Sequence, residues 1–167
     1  MKKRRLRTML TSPEKRGDYT FRLEGVSIRT GRHVLTSRPA MSRFLWVCVG
    51  GAIGTGARYL VAIGVPRLLG TSFPYGTLLV NVVGSFLIGA IMHVGLTTAL
   101  IPPTLRLVLT TGVMGGFTTY STFNYETLQY LREGAFVVAG LNVAATLALC
   151  LLAGLLGLAA ARWLFGS

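Results

Sequence analysis

The sequence predicts an all-α integral membrane protein with four transmembrane helices, and three observations carry that expectation. The chain is 51% hydrophobic and only 13% charged, where a soluble domain carries about 25% charged residues. Four apolar stretches, near residues 44–65, 76–100, 105–131 and 135–164, each reach the roughly 20 residues that a spanning helix needs. Prolines, glycines and one charged triplet punctuate the short gaps between them.

The 167 residues leave room for one domain, and charge divides them unevenly. The first forty residues hold eleven of the 17 Lys and Arg and three of the five acids, so most of the formal +12 belongs to this segment. A basic arm could engage nucleic acid or anionic lipid. Without hydrophobic periodicity to bury, residues 1–40 read instead as a disordered extension with no nucleic-acid partner. No apolar run follows the basic cluster, so the segment is not a secretory signal. Residues 41–167 form the membrane domain, opening at Met41.

The first helix carries Gly50, Gly51, Gly54 and Gly56, small residues that let helices approach closely in lipid. Pro66, Gly70 and Pro74 mark the first connection, Pro102 and Pro103 the second, and Arg132, Glu133 and Gly134 the third. Such short connections make neighbouring helices antiparallel and put both ends of the domain on one side. Arg43, Arg106 and Arg162 lie towards that side. Arg67 and Arg132 lie towards the other, with Arg58 in or near the end of helix one. Excess Arg and Lys normally marks the cytoplasmic side. A near-even split lets one chain insert both ways, and two opposite insertions can pair as an antiparallel, dual-topology homodimer.

The third stretch has the least regular composition. Gly115 and Gly116 are followed by Thr118, Thr119, Ser121 and Thr122 near mid-span. Glycine weakens helices, and hydroxyl side chains compete for backbone partners. The segment therefore reads either as a helix broken at membrane depth, its freed carbonyls available to a cation, or as a continuous helix whose hydroxyls bond the preceding turn. Thr77, Asn81 and Ser85 recur every four residues on helix two, as Asn142 and Thr146 do on helix four. Such stripes either line a pathway or hold helices together. Tyr120 and Phe123 share a face and could turn positive ring edges to an anion or simply pack. Glu126 continues that face. It could mark a pathway mouth, cap a junction, or pair with Arg58. His93 reads as structural or solvated, and Cys48 and Cys150 as small buried apolar residues. No carboxylate pair, nucleophile set or metal-spaced cluster argues for an enzyme.

Three motifs occur in order: Gly50-Gly51-x-x-Gly54-x-x-x-Arg58-Tyr59, Pro74-x-Gly76-Thr77-Leu78-x-Val80-Asn81-x-x-Gly84-Ser85-Phe86, and Gly112-x-x-Gly115-Gly116-x-Thr118-Thr119-Tyr120-Ser121-Thr122-Phe123. Over residues 42–165 the chain resembles the CrcB/Fluc fluoride channel family. The resemblance implies a dual-topology homodimer in the cell's inner (plasma) membrane, with two antiparallel pores exporting fluoride passively. It implies a structural sodium ion at the dimer centre, held by the main-chain carbonyls of Gly115 and Thr118. It matches Asn81, Tyr120 and Phe123 to pore residues, with Thr77, Ser121 and Thr122 as polar neighbours. Two departures stand out: Tyr120 replaces a frequent Phe, and Asn142 occupies a common Tyr position on helix four, one turn before Thr146. The expected partners are fluoride, sodium, membrane lipid and a second copy. The rival readings are a small dual-topology multidrug-type exporter, which needs an intramembrane proton-coupling group, and a non-transporting membrane scaffold.

Overall fold

The computed structural model describes residues 18–23, 26–31 and 38–166. Within the extension, strands β1 (Asp18–Leu23) and β2 (Val26–Gly31) pair as an antiparallel hairpin, with Phe21 opposite Ile28. Over those residues the structure differs from the expected disorder. The expectation for the rest of residues 1–37 lies outside the described residues.

The remainder is helical: α1 (Arg38–Leu69), α2 (Tyr75–Thr97), α3 (Pro103–Leu107), a π-helical segment (Val108–Met114), α4 (Gly115–Phe117), α5 (Tyr120–Arg132) and α6 (Phe136–Phe165). By length and composition α1, α2 and α6 can each cross a membrane. Their outer faces are apolar: Leu151, Leu155 and Trp163 are 69%, 63% and 85% exposed. That is the surface of a protein whose solvent is hydrocarbon, and the protein is multi-pass.

Two boundaries differ from expectation. The first helix runs through Pro66, which gives up the ladder bond to the Ala62 carbonyl, and the Pro66 carbonyl still accepts from Gly70 N–H at 3.0 Å. The connection is then Gly70–Pro74, entered at a positive φ of 82° that glycine tolerates. The third stretch breaks beyond its two glycines. Gly115 is helical (φ −62°, ψ −36°), whereas Thr118 (−85°, 158°) and Thr119 (−151°, 113°) are extended.

The glycines serve close packing. A methyl on Gly54 would overlap the Val113 carbonyl, and one on Gly116 would overlap the Gly51 carbonyl. α1 therefore lies directly against the π segment and α4, which explains why Gly115-Gly116 do not mark the break. α2 and α6 pack closely along a shared seam, where a methyl on Gly157 would overlap the Phe86 carbonyl. The core is small and contains Val80, Met114, Phe123 and Ala139, beside buried Thr77, Asn81, Thr119, Asn142 and Thr146.

Gly157→Ala is expected to destabilise the protein by about 1–3 kcal/mol through overpacking of backbone on backbone. Gly64→Ala, which lies within α1 and meets nothing within 4 Å, should instead raise stability by up to about 1 kcal/mol. Thermal unfolding of both variants in one detergent checks the contrast.

Candidate functional site

A break in a buried helical stretch leaves backbone groups that must find new partners. The sequence meets this from α2. Asn81 Nδ2 donates to the Thr119 carbonyl at 3.0 Å, and the Thr119 N–H donates to Asn81 Oδ1 at 2.8 Å. Thr119 then caps α5, its Oγ1 accepting from Thr122 N–H at 3.2 Å and lying 2.9 Å from Thr122 Oγ1. Ser121 Oγ lies 3.3 Å from the same hydroxyl. The hydroxyls also bond backwards. Thr118 Oγ1 donates to the Met114 carbonyl and Thr110 Oγ1 to that of Arg106, both at 2.9 Å. Back-bonding and breakage, posed as alternatives from sequence, therefore coexist.

The polar stripes of α2 and α6 meet α5. Thr77 Oγ1 donates to Glu126 Oε1 at 2.7 Å. Glu126 thus bonds a hydroxyl, while Arg58 lines a cavity of about 280 Å³ with Thr55, Thr77, Thr119 and Thr122. Asn142, only 1% exposed, donates through Nδ2 to Thr127 Oγ1 at 2.9 Å. Thr127 in turn donates to the Phe123 carbonyl at 2.8 Å. Two buried oxygens in this region, Glu126 Oε2 and Thr146 Oγ1, have no hydrogen-bond partner among the described residues. Phe123 is buried and Tyr120 lies beside it, ring centroids 5.6 Å apart and planes tilted by 53°.

The structure thus brings Thr77, Asn81 and Asn142 onto α5 between its cap Thr119 and Thr127, a stretch that carries Thr122, Phe123 and Glu126, with Thr146 buried one turn after Asn142 on α6. It does not enclose Tyr120, which is 77% exposed, or Ser121 and Thr122, which are also exposed. The sequence reading missed Thr127 and the pairing role of Thr119. Thr127 follows Phe123 by one helical turn, a spacing that would have placed it on the same face. Elsewhere, His93 is structural: Nε2 bonds the Gly166 carbonyl at 3.0 Å and ties α2 to the end of α6. Cys48, expected to be buried, is exposed on α1, and Cys150 is half-buried. Both suit a lipid-facing helix as well as a core.

Two carbonyls bear on a cation. In an unbroken helix Thr119 N–H would return to Gly115 and Thr122 N–H to Thr118. Both donors are diverted, one to Asn81 and the other to the Thr119 hydroxyl. The Gly115 and Thr118 carbonyls therefore fit the role of neutral oxygen ligands for a small cation.

A family model described as "CrcB-like protein, Camphor Resistance (CrcB)" matches residues 45–158. A protein of Sorangium cellulosum (strain So ce56) named "Fluoride-specific ion channel FluC" is 53% identical over 122 residues, 73% of this chain and 96% of its own length. Proteins with the same name from Anaeromyxobacter sp. (strain K) and Geobacter sulfurreducens are 52% and 54% identical, covering 75% and 74% of this chain and 100% of theirs. The family match, the near-complete coverage of these relatives and the broken third stretch carrying its Thr118–Phe123 motif together establish that this chain belongs to the CrcB-like family.

Proposed function

We propose that the protein is a fluoride-selective ion channel that lets cytoplasmic fluoride leave passively and so protects against its toxicity. The observation that carries this reading is the convergence of uncharged donors from α2 and α6 on α5 between Thr119 and Thr127, with Thr146 Oγ1 buried and without a partner among the described residues. The name shared by relatives at about half identity supports the same ion.

The physical demand is specific. Fluoride is small and strongly hydrated, so a pore must replace its water with several short contacts, each weak enough to release the ion. Amide, hydroxyl and aromatic-edge contacts meet that demand; a fixed guanidinium in the narrows would hold the ion too long. Asn81 keeps a second amide N–H beyond the one given to Thr119. Phe123 and Tyr120 offer ring edges, Thr77, Ser121 and Thr122 hydroxyls, and Asn142 and Thr146 the α6 side. Arg58, in its cavity, raises the local anion concentration before the narrows. Acid outside drives HF inward; the cytoplasm ionises it, and the anion leaves down its own gradient.

The channel consists of two subunits inserted in opposite directions, with α3 to α5 acting as the fourth span of each. The near-even Arg distribution of residues 41–167 supports this, as does the exposure of Tyr120 beside a buried Phe123. Gly115 and Thr118 would hold a structural sodium ion at the centre, where it supplies fixed positive charge that draws two broken segments together. Two carbonyls make only part of a coordination shell, and a second copy would supply the rest.

Phe123→Ile keeps bulk but deletes the ring edge. Fluoride efflux from liposomes, per folded protein, should fall by about tenfold or more, the scale of one lost charge-assisted contact. The size-exclusion profile should be unchanged; wild-type flux in the folded variant would remove Phe123 from the pore.

Antiparallel pairing is tested on residues 41–167 with Cys48→Ala, Cys150→Ala and one added thiol, Ser167→Cys. A membrane-impermeant maleimide should label about half of the protein from each side. Labelling from one side alone would refute opposite insertion.

A further inference from the structure

Beyond its spare N–H for the ion, Asn81 has a second task, which its two bonds assign. Both run to one residue, Thr119, whose N–H and carbonyl it engages together at 2.8 and 3.0 Å. This is how a neighbouring β-strand would pair with an extended residue, and Thr119 is extended (φ −151°, ψ 113°). The site is buried, so unpaired Thr119 groups would be costly there. A mid-helix amide thus stands in for a missing strand.

The consequences run both ways along the chain. Upstream, the Thr119 N–H held by Asn81 is the donor that would otherwise close a helical turn onto the Gly115 carbonyl. Downstream, the same residue caps α5 through its hydroxyl, which sets where α5 begins and therefore where Tyr120 and Phe123 emerge. α2 meets the break at a second point. A methyl on Gly84, three residues after Asn81, would overlap the Thr118 side chain. Asn81 and Gly84 together form a two-point seat for Thr118–Thr119.

We infer that Asn81 is a positioning residue: its amide clamps Thr119 in the extended state, keeps Gly115 out of the helical ladder, and fixes the direction of the aromatic pair. The link to ion selectivity rests on the channel reading above; the clamp itself does not. If Asn81 served the ion alone, its loss would leave Thr119 as it is.

The test uses the full-length protein in lipid nanodiscs, with Asn81→Ala and Asn81→Gln. Glutamine keeps the amide donors but is one methylene too long to make both bonds with α2 in place. Amide hydrogen exchange at Thr119 should quicken by about tenfold or more in both variants, because its N–H loses the buried bond to Asn81 Oδ1. Fluoride-over-chloride selectivity in liposomes should fall about fivefold or more in both, as a misdirected α5 no longer shapes the contacts. Wild-type protection of Thr119 in Asn81→Ala overturns the clamp, and wild-type selectivity alongside fast exchange overturns its role in the pore. Should Asn81→Ala not fold, the same two readouts on Asn81→Gln decide the matter. Absence of fluoride flux in the unsubstituted protein would instead sink the channel reading, and exchange at Thr119 would still decide the clamp.

Discussion

A chain that leaves helical geometry in a buried interior must find a partner for every freed backbone group, since no water is there to take its place. Here the break is one extended pair, Thr118 and Thr119, and the partner is one side chain, Asn81. Most other features near the site follow from that pairing. Gly84 is small because Thr118 sits against it. Thr119 can cap α5 because its backbone is already satisfied. The Gly115 and Thr118 carbonyls are set aside from the ladder by the same rearrangement.

The charges are arranged with the same economy. Six Arg and two Glu follow Met41, and none of the Arg is drawn into the bonded cluster. Arg106 instead donates to the Gly95 carbonyl, one of the unpaired acceptors at the end of α2. Thr97 and Thr98 cover the neighbouring carbonyls of His93 and Val94. Glu126 reaches the cluster, with one oxygen bonded to Thr77 and the other without a partner among the described residues. The interior is therefore rich in neutral dipoles, a setting suited to an ion that must be recognised and then let go.

Glycine packing sets the distances on which these contacts depend. With α1 lying directly on the π segment and α4, and α2 on α6, the helices approach to backbone contact. A π-helical segment, Val108–Met114, joins α3 to α4 and carries the Gly112 and Val113 backbone that α1 packs against. The result is a narrow interior in which a single methyl is a large perturbation.

Much of this was legible in the sequence. Hydropathy marks long apolar helices because a membrane demands about 20 apolar residues per span. Period-four polar residues mark the inner faces of α2 and α6, since Thr77, Asn81, Asn142 and Thr146 have few other uses in lipid. The Gly-Gly-x-Thr-Thr-Tyr-Ser-Thr-Phe segment announces an irregular helix. Where it breaks was not legible, because that depends on which groups face a partner: Gly116 is held helical by contact with α1, and Thr119 is drawn out by Asn81, 38 residues away. The pairing of Thr77 with Glu126, 49 residues apart, and of Asn142 with Thr127 likewise exist only once the helices are packed. The sequence by itself determined which residues are polar and which stretches are helical, since transfer free energy and local propensity act residue by residue. Only the tertiary structure decided which polar group satisfies which, since hydrogen bonding at these distances is a property of pairs.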